Sequence, residues 1–266
     1  MTTQKYEVFA LRYATHADRK KSENFISTDL HDNCGMPLDF YMWVIRNDER
    51  TIIVDTGFDA SSAERRKRTF LENPVDMLKH IDIDPLEIKD VIITHMHYDH
   101  SGNLMSFPNA RVHVQEAEIS YCTGRCMCHD LLRKPFDVND VVNAIRINYE
   151  GRLVFHQDRT NLFPGISVHR VGGHTKGLQI VRVNTERGYI VLASDAAHYW
   201  TNIIDKQPVP MVVDLDDMLD AYATINKFAD GEYHVIPGHD PNVLEIFPKY
   251  KGHKNIVMLH AWPSWS

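Results

Sequence analysis

The segment His95-Met96-His97-Tyr98-Asp99-His100 places three imidazoles and a carboxylate within six residues. It follows directly on Val91-Ile92-Ile93-Thr94, an apolar run that reads as a buried strand. The donors therefore sit where that strand gives way to a loop, and the chain must fold around a polar edge that gathers ligands. Neutral imidazole and carboxylate are ligands of zinc and its borderline neighbours. In an extended segment the His-x-His step sends both rings to one side. Asp99 and His100 follow after the chain has begun to turn and face a second point in space. One short segment can thus serve two adjacent metals. The chain has 16 histidines, so lone ones such as His16 or His156 earn no metal role.

Three further donors lie at the ends of expected strands. His174 stands in Gly172-Gly173-His174-Thr175, where glycines allow a tight turn. Asp195 ends the apolar run Leu192-Ala193-Ser194, and His239 follows Pro237-Gly238. Loops at strand ends are where α/β scaffolds collect functional side chains.

The rest of the pattern supports such a scaffold. Strands are expected at Tyr6–Tyr13, Phe40–Ile45, Thr51–Val54, the Val91 run and Ala110–Val114. A second series covers Leu153–Phe155, Ser167–Val171, Gln179–Val183, Tyr189–Leu192 and Glu232–Ile236. The Phe40 and Thr51 strands form a hairpin around Asn47-Asp48, and Asp55-Thr56-Gly57 ends the second in a tight turn. Helices are expected at Ser61–Leu71, after the cap-then-proline pairs Asn73-Pro74 and Asp84-Pro85, and at Glu116–Cys122, Val138–Tyr149 and Asp214–Phe228. The last carries Leu215, Met218, Leu219, Tyr222, Ile225 and Phe228 on one face. No repeat, low-complexity tract or linker interrupts the chain. Residues 1–266 read as a single α/β domain with two sheets packed together and helices outside.

Composition closes off other classes. With 266 residues, 43% of them hydrophobic, the chain can bury a sizeable core. A net charge of −7 argues against nucleic-acid binding and against docking on an anionic membrane. No apolar run reaches the length of a membrane span. Met1-Thr2-Thr3-Gln4-Lys5-Tyr6 shows no secretory signal, which points to the cytoplasm. Reduced thiols are then expected at Cys34, Cys122, Cys126 and Cys128, whose spacing is not that of a zinc knuckle. The polar stretch from Thr15 to Asp39 is long for a loop, which suggests a lid or contact. With the aromatic tail His260–Ser266 it is a candidate homodimer contact.

Together, His95, His97, Asp99 and His100, with later His174, Asp195 and His239, resemble the metallo-β-lactamase superfamily. The resemblance implies an αβ/βα sandwich, two mixed sheets flanked by helices, with a dinuclear site at one edge. By analogy His95, His97 and His174 hold one ion, Asp99, His100 and His239 hold the other, and Asp195 bridges them. Asp55 matches the family's aspartate that orients metal ligands. The implied cofactors are two divalent ions, zinc foremost, with iron, manganese or cobalt as alternatives.

Within the superfamily the chain is most similar to the N-acyl homoserine lactonase group. It shares the long N-terminal loop, the Gly173-His174-Thr175-x-Gly177 segment and Ser194-Asp195-Ala196-Ala197. The bridging residue is not the cysteine of zinc β-lactamases, and nothing suggests a flavin or RNA-binding region. One position departs: where those lactonases commonly place tyrosine, this chain has His198, followed by Tyr199. The implied reaction is opening of a lactone by a hydroxide shared between the ions. Asp99 would shuttle a proton, with His198 or Tyr199 assisting at the carbonyl. Met36, Phe40, Trp43 and Tyr121 are candidates for an apolar substrate pocket. Two other readings stay open: hydrolysis of a different lactone, an ester or a cyclic amide, and a non-catalytic module that binds a signal molecule through metal.

Overall fold

The computed structural model describes residues 4–264 apart from Thr28 and Leu30. Its strands, in chain order, are β1 (Glu7–His16), β2 (Leu38–Arg46), β3 (Thr51–Val54), β4 (Thr69–Phe70), β5 (Asp90–Ile92), β6 (Arg111–Gln115) and β7 (Leu153–His156). There follow β8 (Arg159–Phe163), β9 (Ile166–Arg170), β10 (Gln179–Thr185), β11 (Gly188–Ser194), β12 (Val235–Pro237) and β13 (Ile256–Met258). One mixed sheet runs β13-β1-β2-β3-β5-β6-β7, with β4 pairing beside β1. The second runs β12-β11-β10-β9-β8.

Strand alternation explains the layering. Along β1, Val8 and Ala10 point to the second sheet, while Phe9, Leu11 and Tyr13 point outward to the helices. Trp43, Ile45, Ile52, Val54 and Ile92 of the first sheet meet Val168, Val181, Val183, Ile190 and Leu192 of the second in a dry inner core. On the far side of the second sheet, the helix Leu215–Phe228 buries Met218, Ala221, Tyr222 and Ile225 against Ile180, Val191 and Ala193. Helix, sheet, sheet, helix is the expected αβ/βα sandwich.

Several local expectations needed correction. The Ser61–Leu71 helix stops at Arg66, because Lys67 adopts a left-handed conformation (φ 55) and the chain then extends into β4. The strand placed at Glu232–Ile236 begins only at Val235, after a 3-10 turn. The Thr15–Asp39 loop is shorter, since β1 reaches His16 and β2 starts at Leu38. It folds back on its own chain: Ile26 N–H donates to Pro208 O (2.9 Å), and Phe25 packs near Tyr199. Strands β8 and β13 were not anticipated. The first is a polar edge strand with no run of apolar residues to mark it.

Tail residues Trp265 and Ser266, and Met1, Thr2 and Thr3 of the N-terminal reading, lie outside the described residues. No helix among the described residues is long and apolar enough to cross a membrane. The four cysteines are free, and none joins a potential metal-binding group among the described residues.

Candidate metal centre

The donors converge because the strands that carry them end along one edge. β3 stops at Val54 and hands Asp55 to the edge, and β5 does the same for Thr94 and His95. β11 ends at Ser194, just before Asp195, and β12 ends at Pro237, just before His239. His174 lies in the loop that leads into β10. All seven of the sequence-predicted donors, His95, His97, Asp99, His100, His174, Asp195 and His239, are buried and meet at one place.

The Asp195 carboxylate divides them. Its Oδ2 lies 3.2 Å from His174 Nε2 and 3.9 Å from His95 Nε2. His174 Nε2 is in turn 3.0 Å from His97 Nδ1. Its Oδ1 lies 2.9 Å from His239 Nε2 and 3.1 Å from His100 Nε2. Asp99 stands 3.9 Å from both of those rings. Each carboxylate oxygen thus faces its own set of donors.

Metal ions fit this arrangement better than hydrogen bonds do. His95 Nε2 is fully buried with no hydrogen-bond partner, an expensive state unless a ligand occupies its lone pair. Burial, reinforced by neighbouring imidazoles, holds His95 and His97 well below the ordinary histidine value, so both rings are neutral, the state a metal requires. Burial opposes charge on His100 as well, but Asp195, Asp55 and Asp99 outweigh it and push this ring well above its ordinary value. Burial would likewise raise Asp195, yet the imidazoles of His239, His100, His198 and His174 hold it well below the usual carboxylate range. A compact cluster of buried, mutually compensating donors is the expected form of a site built for cations.

Outer contacts fix which nitrogen each ring presents. His174 Nδ1–H donates to Met211 O (2.7 Å), and His239 Nδ1–H donates to Asp39 O (2.8 Å). His100 Nδ1–H donates to Asp55 Oδ2 (2.7 Å). In each case Nε2 is the nitrogen turned toward the centre, the orientation in which an outer hydrogen bond fixes an imidazole for a metal. Asp55 also accepts from Thr94 N–H (2.7 Å) and Thr94 Oγ1–H (2.8 Å), tying the end of β3 to the end of β5.

Glu118 was not singled out from the sequence, yet it joins two ligand loops. Wholly buried, it accepts from Met96 N–H (2.8 Å), Thr175 Oγ1–H (2.6 Å) and Gly177 N–H (3.0 Å). Burial pushes its carboxyl up, against those three donors. Gly177 permits the approach, since a Cβ there would sit 2.1 Å from Glu118 N. Glu118 reads in the sequence as one acid in a charged helix, and nothing in that pattern sets it apart from exposed Glu116. Glu118→Gln turns one acceptor oxygen into a donor facing other donors. We expect it to lower stability by about 1–3 kcal/mol and metal affinity by roughly tenfold, measured by urea unfolding and metal titration.

The two candidate catalytic side chains after Asp195 part company. His198 Nε2–H donates to Asp195 Oδ2 (3.0 Å), and its Nδ1 is buried without a hydrogen-bond partner. Burial lowers the ring to about 4 against the pull of Asp195, so at neutral pH it carries one proton. Tyr199 instead directs its hydroxyl to the carbonyls of Pro37 (3.0 Å) and Met36 (3.3 Å), securing the N-terminal loop. Of the suggested pocket residues, Trp43 is inner core and Phe40 packs edge-on against His239 at 5.3 Å. Met36 contributes its carbonyl to Asn24 and Tyr199. Tyr121 lines a cavity of about 460 Å³ beside Lys176 and Val213.

Residues 39–243 match the model of the metallo-beta-lactamase superfamily. The chain belongs to that superfamily. Superfamily membership and the donor cluster together identify a metal-dependent hydrolase. Among curated metallo-beta-lactamase relatives, an N-acyl homoserine lactonase of Bacillus thuringiensis is 24% identical over 232 residues, 80% of this chain and 87% of that protein. One from a Bacillus species is 26% identical over 191 residues, 65% of this chain and 71% of that protein. A crystal structure of a quorum-quenching N-acyl homoserine lactone lactonase superposes with a TM-score of 0.73 at 21% identity, covering 91% of this chain and 94% of the other. A dizinc quorum-quenching lactonase superposes at 0.69 with 16% identity, covering 91% and 90%.

Proposed function

We propose that the protein is a dinuclear lactonase that opens the ring of N-acyl homoserine lactones, a reaction that degrades a quorum-sensing signal. The observation that carries this reading is the division of the Asp195 carboxylate between two donor sets, Oδ2 toward His95 and His174 and Oδ1 toward His100 and His239. The names of the curated relatives supply the substrate class. His95, His97 and His174 would hold one ion and Asp99, His100 and His239 the other, with Asp195 common to both. Nitrogen and oxygen donors of this kind suit zinc first, then iron, manganese or cobalt. When bound, a pair of such ions supplies an ionised water at neutral pH and polarises a carbonyl.

The chain's own groups then do the positioning. Met211 O, Asp39 O and Asp55 keep three imidazoles in the ligand tautomer. Asp99 is the more exposed of the two ligand carboxylates, its side chain 11% accessible against 5% for Asp195, and would carry a proton to the departing ring oxygen. His198 spends its ring proton on Asp195, so its bare Nδ1 serves as an acceptor, where a tyrosine would donate. An amide N–H of the substrate is a suitable donor for it. Tyr199 acts indirectly by holding the loop at Met36 and Pro37.

The test is a ring-opening screen, read by pH indicator, on metal-reconstituted protein with homoserine lactones of graded acyl length. Turnover of the acyl homoserine lactones is expected. Turnover only of simple esters, other lactones or cyclic amides would replace the substrate, and binding without turnover would favour the signal-binding module. His198→Phe should keep the full metal content while lowering kcat/KM by roughly tenfold, the scale of one lost hydrogen bond to a buried group. Loss of metal in that variant would make His198 a ligand instead.

A further inference from the structure

Away from the Asp195 cluster, a second set of nitrogen and oxygen donors gathers where the Glu72–His80 stretch meets the distant segment around His253. Glu72 follows β4, His80 lies in the 3-10 turn Leu78–Ile81, and His253 follows the 3-10 turn Tyr250–Gly252. One donor atom from each lies within 4.8 Å of the other two. His80 Nε2 is 2.8 Å from Glu72 Oε1, and the His80 and His253 rings are 4.5 Å apart at 41°. The Asp195 cluster shows the same spacing: His95 and His97 are 4.5 Å apart, and His95 and His100 are 4.1 Å apart at 45°.

The backbone holds these donors in place. Glu72 N–H bonds to Tyr13 O (3.3 Å), Ile83 N–H closes the His80 turn on Leu78 O (3.0 Å), and His253 N–H bonds to Tyr250 O (2.8 Å). Lys251 adopts φ 47, a left-handed conformation that is unfavourable for a residue with a Cβ. That conformation helps turn the chain so that His253 meets the other two. Side-chain exposures of 31% for His80 and 27% for Glu72 leave room for a water.

We propose that Glu72, His80 and His253 form a further metal site for a divalent cation of the zinc class, with an open position for water. Two imidazoles and one carboxylate make a three-ligand zinc donor set. Partial burial, with His80 nearby, keeps His253 below its ordinary value and therefore neutral at physiological pH. An ion takes the place of the proton now shared between His80 Nε2 and Glu72 Oε1 (2.8 Å), and the other contacts it displaces are longer: Lys79 Nζ stands 3.5 Å from Glu72 Oε1, and Asn255 N–H reaches His253 Nδ1 at 3.3 Å. The bound ion fastens β4 and the His80 turn to the segment before β13, and because it binds only the folded chain it raises stability. The site shares no residue with the Asp195 cluster, so the lactonase reading does not depend on it.

The experiment starts from protein already saturated at the Asp195 cluster. Zinc chloride is titrated in by calorimetry, and bound metal is counted after equilibrium dialysis. Wild type should take up one more equivalent and show a Tm that rises with zinc. His80→Ala and Glu72→Gln should lose that equivalent and the zinc-dependent rise, while keeping the remaining metal and catalytic turnover. Wild type that takes up no further ion would overturn the proposal. So would variants that take it up as wild type does.

Discussion

Replacing Asp195 with asparagine should strip metal and turnover together while leaving the fold intact. The substitution keeps the side-chain volume and removes the charge on which four imidazoles converge, those of His239, His100, His198 and His174. An amide offers a single acceptor oxygen, whereas Asp195 uses one oxygen for each donor set. Metal held at the Asp195 cluster should fall from two ions to one or none. Lactone turnover should fall by about 10³-fold or more, the scale of losing stabilisation for a developing oxyanion. Metal analysis and steady-state kinetics on the same preparation check this. Asp195→Asn protein that retains both ions would show that the carboxylate is not shared.

The second large effect is on stability. Asp55 is fully buried, sits in a left-handed conformation (φ 59) and accepts three hydrogen bonds, from Thr94 N–H, Thr94 Oγ1–H and His100 Nδ1–H. Asp55→Ala leaves those donors unmatched beside a ring that the native carboxylates favour in its charged form. Breaking such a buried pair costs about 3–5 kcal/mol. Loss of the orienting contact to His100 should also weaken metal binding roughly 10–100-fold. Urea unfolding of metal-free protein measures the first effect and metal titration the second. Asp55→Asn tolerates the backbone conformation and keeps one acceptor oxygen, so it should fall between alanine and wild type. A loss below about 1 kcal/mol for alanine, in the range of a single ordinary hydrogen bond, would mean that Asp55 does not tie the two strand ends together.

The donor cluster was legible because its members follow apolar strands, and the parallel pairs β3/β5 of one sheet and β11/β12 of the other bring their C-terminal ends to one edge of the sandwich. His95 after the Val91 run, Asp195 after β11 and His239 after β12 all share that signature. The groups that orient the rings left little trace, because two of them are backbone carbonyls, at Met211 and Asp39, which any residue would supply. Glu118 was invisible for a different reason: its burial comes from the close approach of Gly177, a tertiary event. Trp43 could be read as pocket or as core, because a strand buried on both faces gives no sign of which face meets substrate, and it belongs to the inner core. Among the strands, β8 escaped notice because an edge strand with polar residues does not alternate clearly, and β4 because its two residues continue the expected Ser61–Leu71 helix.

The most direct test is a zinc titration of chelator-stripped protein, with ring opening of an N-acyl homoserine lactone followed at each addition. A dinuclear hydrolase should be inactive without metal and reach full activity at two equivalents per chain. Ring opening by the metal-free protein, or a plateau at one equivalent, would contradict the dinuclear assignment.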